Sequence, residues 1–224
     1  MRIRQLTAST MVGAAALLLT GCGGSPLDGK TGPQVADAAA DALEHADAVH
    51  IAGDVTESGQ KGSVDMHLQG KDADGTITMS GVDLHLRNVG GTVYLQGDSD
   101  LWASFGLPEA AAAQLTGKWV IMPAESASQF TAFSLPGIVD QFRHPESDIK
   151  KKVGSDKVDG KDVVVVEQKD GGKLFVADDD PAYPLSLTNG GDTSGKLTLS
   201  QFGKKNDISK PDGALDLSKL AGGS

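Results

Sequence analysis

One cysteine carries the clearest chemistry in this chain. Arg2 and Arg4 precede an apolar run from Met11 to Leu19, which ends in Leu19-Thr20-Gly21-Cys22. A secretory signal pairs a basic end with an apolar core of roughly 7–15 residues, and both are present here. That core is shorter than the about 20 apolar residues a permanent membrane span requires. Small Gly21 allows a signal peptidase to close on the bond before Cys22, whose thiol then takes a diacylglycerol. Residues 1–21 are therefore expected to be a lipoprotein signal peptide, with Cys22 the lipid attachment site. Because the chain has 1 Cys, an intramolecular disulfide and a cysteine metal cluster are both excluded.

Other residues could do chemistry, but their settings are ordinary. His50, His67 and His85 fall on the polar sides of three alternating segments, where hairpin folding could bring imidazoles together for zinc or copper. Spacing alone supplies neither ligand geometry nor supporting partners, and polar strand faces carry histidine by default, so no metal site is assigned. Gly190-Gly191-Asp192-Thr193-Ser194-Gly195-Lys196 approaches a phosphate-binding loop, yet Leu197 stands where a magnesium-binding hydroxyl belongs. The residues after it alternate like a strand and open no helix, so a hairpin turn is expected. Asp98-Ser99-Asp100 and Asp178-Asp179-Asp180-Pro181 lack the spaced ligands of a calcium loop and read as solvated turns. Gly97-Asp98-Ser99-Asp100-Leu101 lacks the second glycine of a nucleophile elbow, and no Ser, His and Asp set stands out. The expectation is a protein without catalysis and without a cofactor.

The elements that hold these residues follow from periodicity. Gly23 to Pro33 has Leu27 as its one large apolar residue and reads as a flexible tether, so residues 22–33 lift a single domain, 34–224, off the membrane. Val35, Ala38, Ala39, Ala42, Leu43 and Ala46 recur at helical spacing over residues 34–48. Thereafter the period is two: Val49, Ile51 and Val55, then Val64, Met66 and Leu68, then Ile77 and Met79, then Val82, Leu84 and Leu86, then Val93 and Leu95. Turn residues separate them at Glu57-Ser58-Gly59, Asp72-Ala73-Asp74-Gly75, Gly81 and Asn88-Val89-Gly90-Gly91. The result is an antiparallel sheet with one apolar face. A helical insert follows, with Pro108 to Leu115, a short strand over Lys118 to Met122, and helices from Ala124 to Phe142 broken at Pro136. Strands resume at Val163–Glu167, Lys173–Ala177, Pro184–Thr188 and Leu197–Phe202, and Ala214 to Leu220 closes the chain as a short helix or tail. The net charge of −10, made more negative by loss of Arg2 and Arg4, repels nucleic-acid phosphates and anionic headgroups, so no nucleic acid is expected as a partner.

The segments Gly91-Thr92-Val93-Tyr94-Leu95 with Trp102, Gly117-Lys118-Trp119-Val120, and Leu174-Phe175-Val176-Ala177-Asp178 with Tyr183-Pro184-Leu185 give the whole a recognisable plan. Together with the lipobox and tether, this arrangement resembles the LppX/LprG-type lipoproteins of the actinobacterial envelope, within the wider LolA/LolB-like group. The resemblance implies an α+β fold: a strongly curved antiparallel half-barrel sheet whose helices cover the concave face and leave an apolar cavity for lipid or glycolipid acyl chains. It also implies an extracytoplasmic, lipid-anchored place at the outer face of the cell membrane. Read from the residues, a sheet with one aliphatic face must bury that face, and an alanine-rich helical cover can be too slight to fill the hollow. Two outcomes stay open. Either acyl chains complete the core against Val64, Met66, Leu68, Ile77, Met79, Leu84, Leu86, Val93 and Leu95 on the sheet, with Phe130, Phe133, Ile138 and Phe142 opposite, or the helices fill the space. In the second case the domain serves an envelope protein partner, such as a sensor kinase or wall enzyme, and surface metal capture is a further rival.

Overall fold

A computed structural model describes residues 24–221; Cys22 and the signal peptide lie outside the described residues. The first helix, α1 (Gly32–Ala46), begins where Thr31 donates its backbone N–H to Gln34 Oε1 at 2.9 Å, with Pro33 preset for the first turn, and it stops at Asp47, which turns left-handed. Its buried stripe of Val35, Ala36, Ala39, Ala40, Leu43 and Ala46 is mostly alanine, so α1 can lie close to a sheet without filling much space.

Five strands follow in hairpin succession: β1 (Ala48–Glu57), β2 (Gln60–Gln69), β3 (Asp72–Met79), β4 (Val82–Val89) and β5 (Thr92–Gly97). The insert comprises α2 (Ser99–Ser104), α3 (Glu109–Leu115), β6 (Val120–Ile121), α4 (Ala124–Ala127), a 3₁₀ turn at Ser128–Phe130 and α5 (Leu135–Arg143). Then come β7 (Gly154–Val158), β8 (Lys161–Glu167), β9 (Lys173–Ala177), β10 (Pro184–Thr188), β11 (Thr193–Ser200), β12 (Leu215–Asp216) and α6 (Leu217–Ala221). All twelve strands form one open sheet in the order β12-β6-β5-β4-β3-β2-β1-β11-β10-β9-β8-β7, antiparallel except for the β12–β6 pair. The α+β reading is thus correct.

Several local expectations change. Asp72 to Gly75 is not a turn but the start of β3, and the chain reverses at Gly70-Lys71 instead. Gly75 belongs in the sheet because a Cβ there would run into the Asp65 carbonyl oxygen and approach Met66 Cα within 2.7 Å. Pro136 starts α5 rather than breaking a helix, next to Ser134, whose hydroxyl accepts from Gly137 N–H at 3.2 Å. Asp98 is no solvated loop residue: its carboxylate accepts from the N–H groups of Asp100 and Leu101 at 3.0 and 3.1 Å and so caps α2. Residues 25–31, read as flexible tether, sit on the body, since Leu27 is 3% exposed and the Ser25 hydroxyl donates to Asp178. One aliphatic residue in a polar stretch was enough to seat it. The near phosphate loop at Gly190–Lys196 is the β10–β11 hairpin, as expected from its alternation.

The apolar face divides into two clusters. In the larger, Val49, Ile51, Met66, Leu68, Ile77, Leu86, Val93 and Leu95 pack against Leu43 of α1, Trp102 of α2, Leu115 of α3, and Leu135 and Val139 of α5. In the smaller, Val35 and Ala39 of α1, with Leu27, pack on Val166 and Val176 of β8 and β9. The opposite face is crossed by residues 201–214, so that it too is partly covered. Gly203 N–H bonds to Ala48 O at 2.9 Å, Asn206 exchanges two bonds with the Gln69 side chain, and Arg87 donates to Ser209 O at 3.2 Å before Leu215 joins β6.

Candidate functional site

A hollow lies at the end of the apolar face where only the last turn of the insert's α5 reaches. A cavity of about 470 Å³ opens between α1, the end of α5 with the loop after it, and strands β8 to β11. Register explains its floor: Val166 pairs with Leu174, Leu174 with Leu187, and Leu187 with Leu197, which puts one aliphatic row across four strands. Val166, Leu174 and Leu187 line the cavity from that row, and Ala36, Phe142 and Ile149 face them. Its mouth is polar, with Gln141, Gln168, Asn189 and Thr193 beside Glu146, Asp170, Lys173 and His144. The Lys173 ammonium is held by Glu167 at 3.2 Å, and Lys150 bonds the same carboxylate at 3.0 Å. These two lysines hold the Glu167 carboxyl below the usual glutamate range.

The residues named from sequence divide sharply around this hollow. Phe142 lines it; Val64, Met66, Leu68, Ile77, Met79, Leu84, Leu86, Val93, Leu95, Phe130, Phe133 and Ile138 do not. Met66, Leu68, Ile77, Leu86, Val93, Leu95 and Phe130 are buried in packed protein instead. The reason is Trp102, fully buried, which with Leu101, Leu115 and Met122 fills the trough over β1 to β6. Val64 and Leu84 are half-buried nearer the hairpin tips, as are Phe133 and Ile138 opposite, and Met79 at the tip of β3 is 59% exposed. A smaller void of about 250 Å³ lies between the end of α1 and the start of α5, where Arg143 reaches Asp41 and Glu44, both at 2.7 Å.

The missed residues had a weak signal. Val166, Leu174 and Leu187 lie in strands that alternation found, but nothing in alternation says which strands a helix leaves uncovered.

On the opposite face the three histidines do not converge. His50 and His67 are direct cross-strand neighbours, whereas His85 contacts Asp74 at 3.4 Å and packs tilted against Trp119, with ring centres 4.8 Å apart and planes at 55°. Among the described residues no group of three metal-ligating side chains occurs. His67 is not solvated: it is 5% exposed beneath the C-terminal segment, its Nε2 has no partner, and burial pushes its imidazole below the ordinary value. Burial also acts to raise Asp74, but hydrogen bonds from His85 and Arg87 outweigh it and hold the carboxyl low. The sheet does assemble a Ser, His and Asp chain that sequence spacing could not reveal. His50 Nε2 lies 2.8 Å from Asp65 Oδ1, and His50 Nδ1 lies 3.4 Å from Ser200 Oγ. None of the three lines either cavity.

No family model matches the sequence, and no curated protein matches it significantly. Among solved structures, the lipoprotein LppX of Mycobacterium tuberculosis aligns at 13% identity over 80% of this chain and 98% of its own, with a TM-score of 0.51. An uncharacterized conserved protein from Thermus thermophilus aligns at 8% identity over 82% and 96% of the two chains, with a TM-score of 0.44. A DUF1329 family protein from Desulfovibrio piger aligns at 12% identity over 82% and 96%, with a TM-score of 0.33. At these scores the last two carry no weight. The chain has the LppX-like fold, so the likeness read from its segments holds at the level of architecture. Among the described residues no helix is long and apolar enough to cross a membrane.

Proposed function

We propose that this chain is a non-enzymatic envelope lipoprotein, tethered by lipid on Cys22 to the outer face of the cell membrane, that holds lipid hydrocarbon in the cavity between α1, α5 and strands β8 to β11. The observation that carries this reading is the cavity itself. At about 470 Å³ it falls within the roughly 300–1,000 Å³ usual for small-ligand sites, and it joins an aliphatic floor to a hydrogen-bonding mouth. A ligand with an apolar body and a polar end fits such a lining.

The energetics suit a carrier. A methylene leaving water gains about 0.8 kcal/mol, so a chain of about 16 carbons gains about 12 kcal/mol, yet a chain leaving a bilayer gains almost nothing. Lipid can therefore pass between membrane and protein near equilibrium. The packed trough over β1 to β6 favours a second reading, a domain that binds an envelope protein and no ligand.

One experiment separates them. Residues 23–224, which lack the lipidated cysteine, isolated without detergent, are expected to show one lipid per protein in native mass spectrometry, and organic extraction should recover it. Repeated recovery of empty protein that takes up no lipid from vesicles would leave the interaction reading, to be pursued by crosslinking in intact cells.

A further inference from the structure

The size and charge of the cavity point to one class of ligand. At roughly 30 Å³ for a methylene-sized group, about the share of one water molecule in the liquid, a space of about 470 Å³ matches the size of one ordinary acyl chain. The mouth is equally selective. Its one lysine, Lys173, already bonds the Glu167 carboxylate at 3.2 Å, which Lys150 shares at 3.0 Å. Its acids have no such partner: Glu146 and Asp170 form no ion pair among the described residues, although the Asp170 carboxylate accepts from Gly172 N–H at 3.0 Å. An anionic head would meet two carboxylates that have no ion-pair partner among the described residues, against one lysine that already bonds Glu167. Hydrogen-bonding capacity remains in the side-chain amides of Gln141, Gln168 and Asn189, each able to donate and accept.

We infer that the ligand is a single-chain amphiphile whose head is uncharged and rich in hydroxyl or amide groups, an inference that rests on this cavity being the lipid site. The chain lies along Leu174 and Leu187 with Phe142 and Ile149 opposite, and the head stays at the amide-lined mouth.

The test is a set of calorimetric titrations of the mature protein with four probes: monopalmitoylglycerol, palmitate at pH 8, palmitoyl lysophosphatidylglycerol and dipalmitoylglycerol. Monopalmitoylglycerol is expected to bind one per chain, about tenfold or more tighter than the two anionic probes, the order produced by like charges meeting at a protein surface. Dipalmitoylglycerol is expected not to saturate. The variant carrying Glu146→Gln and Asp170→Asn should narrow the affinity ratio between monopalmitoylglycerol and the anionic probes at least severalfold, and an unchanged ratio contradicts the charge argument. Palmitate binding as tightly as the glycerol ester, or saturable binding of dipalmitoylglycerol, overturns this inference and leaves the cavity a lipid site. If no probe binds and the protein also carries no lipid on isolation, the carrier reading falls with it.

Discussion

Replacing Leu187 by Trp tests where the ligand sits. Leu187 is half-buried in the middle of the cavity floor, paired with Leu174 on one side and Leu197 on the other. The substitution adds roughly six heavy atoms to a space that holds about 15 methylene-sized groups, and so displaces a comparable number of ligand atoms. At about 0.3 kcal/mol per displaced atom the loss is about 2 kcal/mol, and at the full transfer value of about 0.8 it is about 5 kcal/mol. Affinity for monopalmitoylglycerol should therefore fall at least about 20-fold. The added ring fills a void, so the urea midpoint should hold or rise rather than drop. The companion variant is Leu84→Trp, on the same sheet face but outside the cavity and half-buried toward a hairpin tip. Its binding should match that of the parent. If Leu84→Trp weakens binding and Leu187→Trp does not, the ligand lies over β1 to β4, and the placement argued from the void is refuted.

Further perturbations address the frame around the site. Gly75→Ala should destabilise by about 1–3 kcal/mol, read as a lower urea midpoint, because the new methyl meets the backbone of Asp65 and Met66; an unchanged midpoint contradicts the close packing of β2 on β3. Leu27→Ala should release residues 25–31 from the second cluster, seen as faster amide exchange there with the large core unaffected. With His67 held low by burial, the unfolded chain takes up that proton first, so stability should decline as pH falls below about 6.5 and continue down to the folded value. His67→Phe should flatten that slope in urea titrations, whereas the contribution of Asp74, also held low, should be lost only below about pH 3.8. Cys22→Ser should abolish palmitate labelling in cells and free the protein from the membrane fraction; continued labelling would remove the anchor.

Strand positions were legible because alternation depends only on which face each residue presents. Val49 through Leu95 reads correctly for that reason, and the turn misplaced at Asp72–Gly75 shows the limit. Aspartate and glycine favour turns, but in β3 Asp74 is wanted for Arg87 and His85, and Gly75 for its missing side chain. Those needs come from neighbouring strands and leave no mark in local sequence. The same applies to α2, whose six residues carry too little periodicity to betray a helix, although Asp98 three positions before Leu101 is an N-cap pattern. Without α2 in view, Trp102 could not be recognised as the side chain that fills the trough. The nine sheet residues named as cavity lining share the apolar face, but six are buried under packed side chains, Val64 and Leu84 are half-buried and Met79 is exposed, none of which alternation could show.

The placement of the void follows from the difference between two helical covers. Over β1 to β6 the insert delivers Leu101, Trp102, Leu115, Leu135 and Val139, bulky side chains on short helices that can settle into the trough. Over β8 to β10 the cover is α1, whose inward residues there are Val35, Ala36 and Ala39. Alanine seals a helix against a sheet only where the two touch, and away from that line it leaves room a larger side chain would have filled. The loop after α5 spans the remaining distance with Pro145, Ser147 and Ile149 and cannot close it. Hydrocarbon entering there contacts aliphatic groups without displacing any well-packed side chain of the main core. On the proposed reading the larger core and the lipid site lie in different halves of one sheet, which is why a cavity-floor variant such as Leu187→Trp is expected to weaken binding while the fold stands.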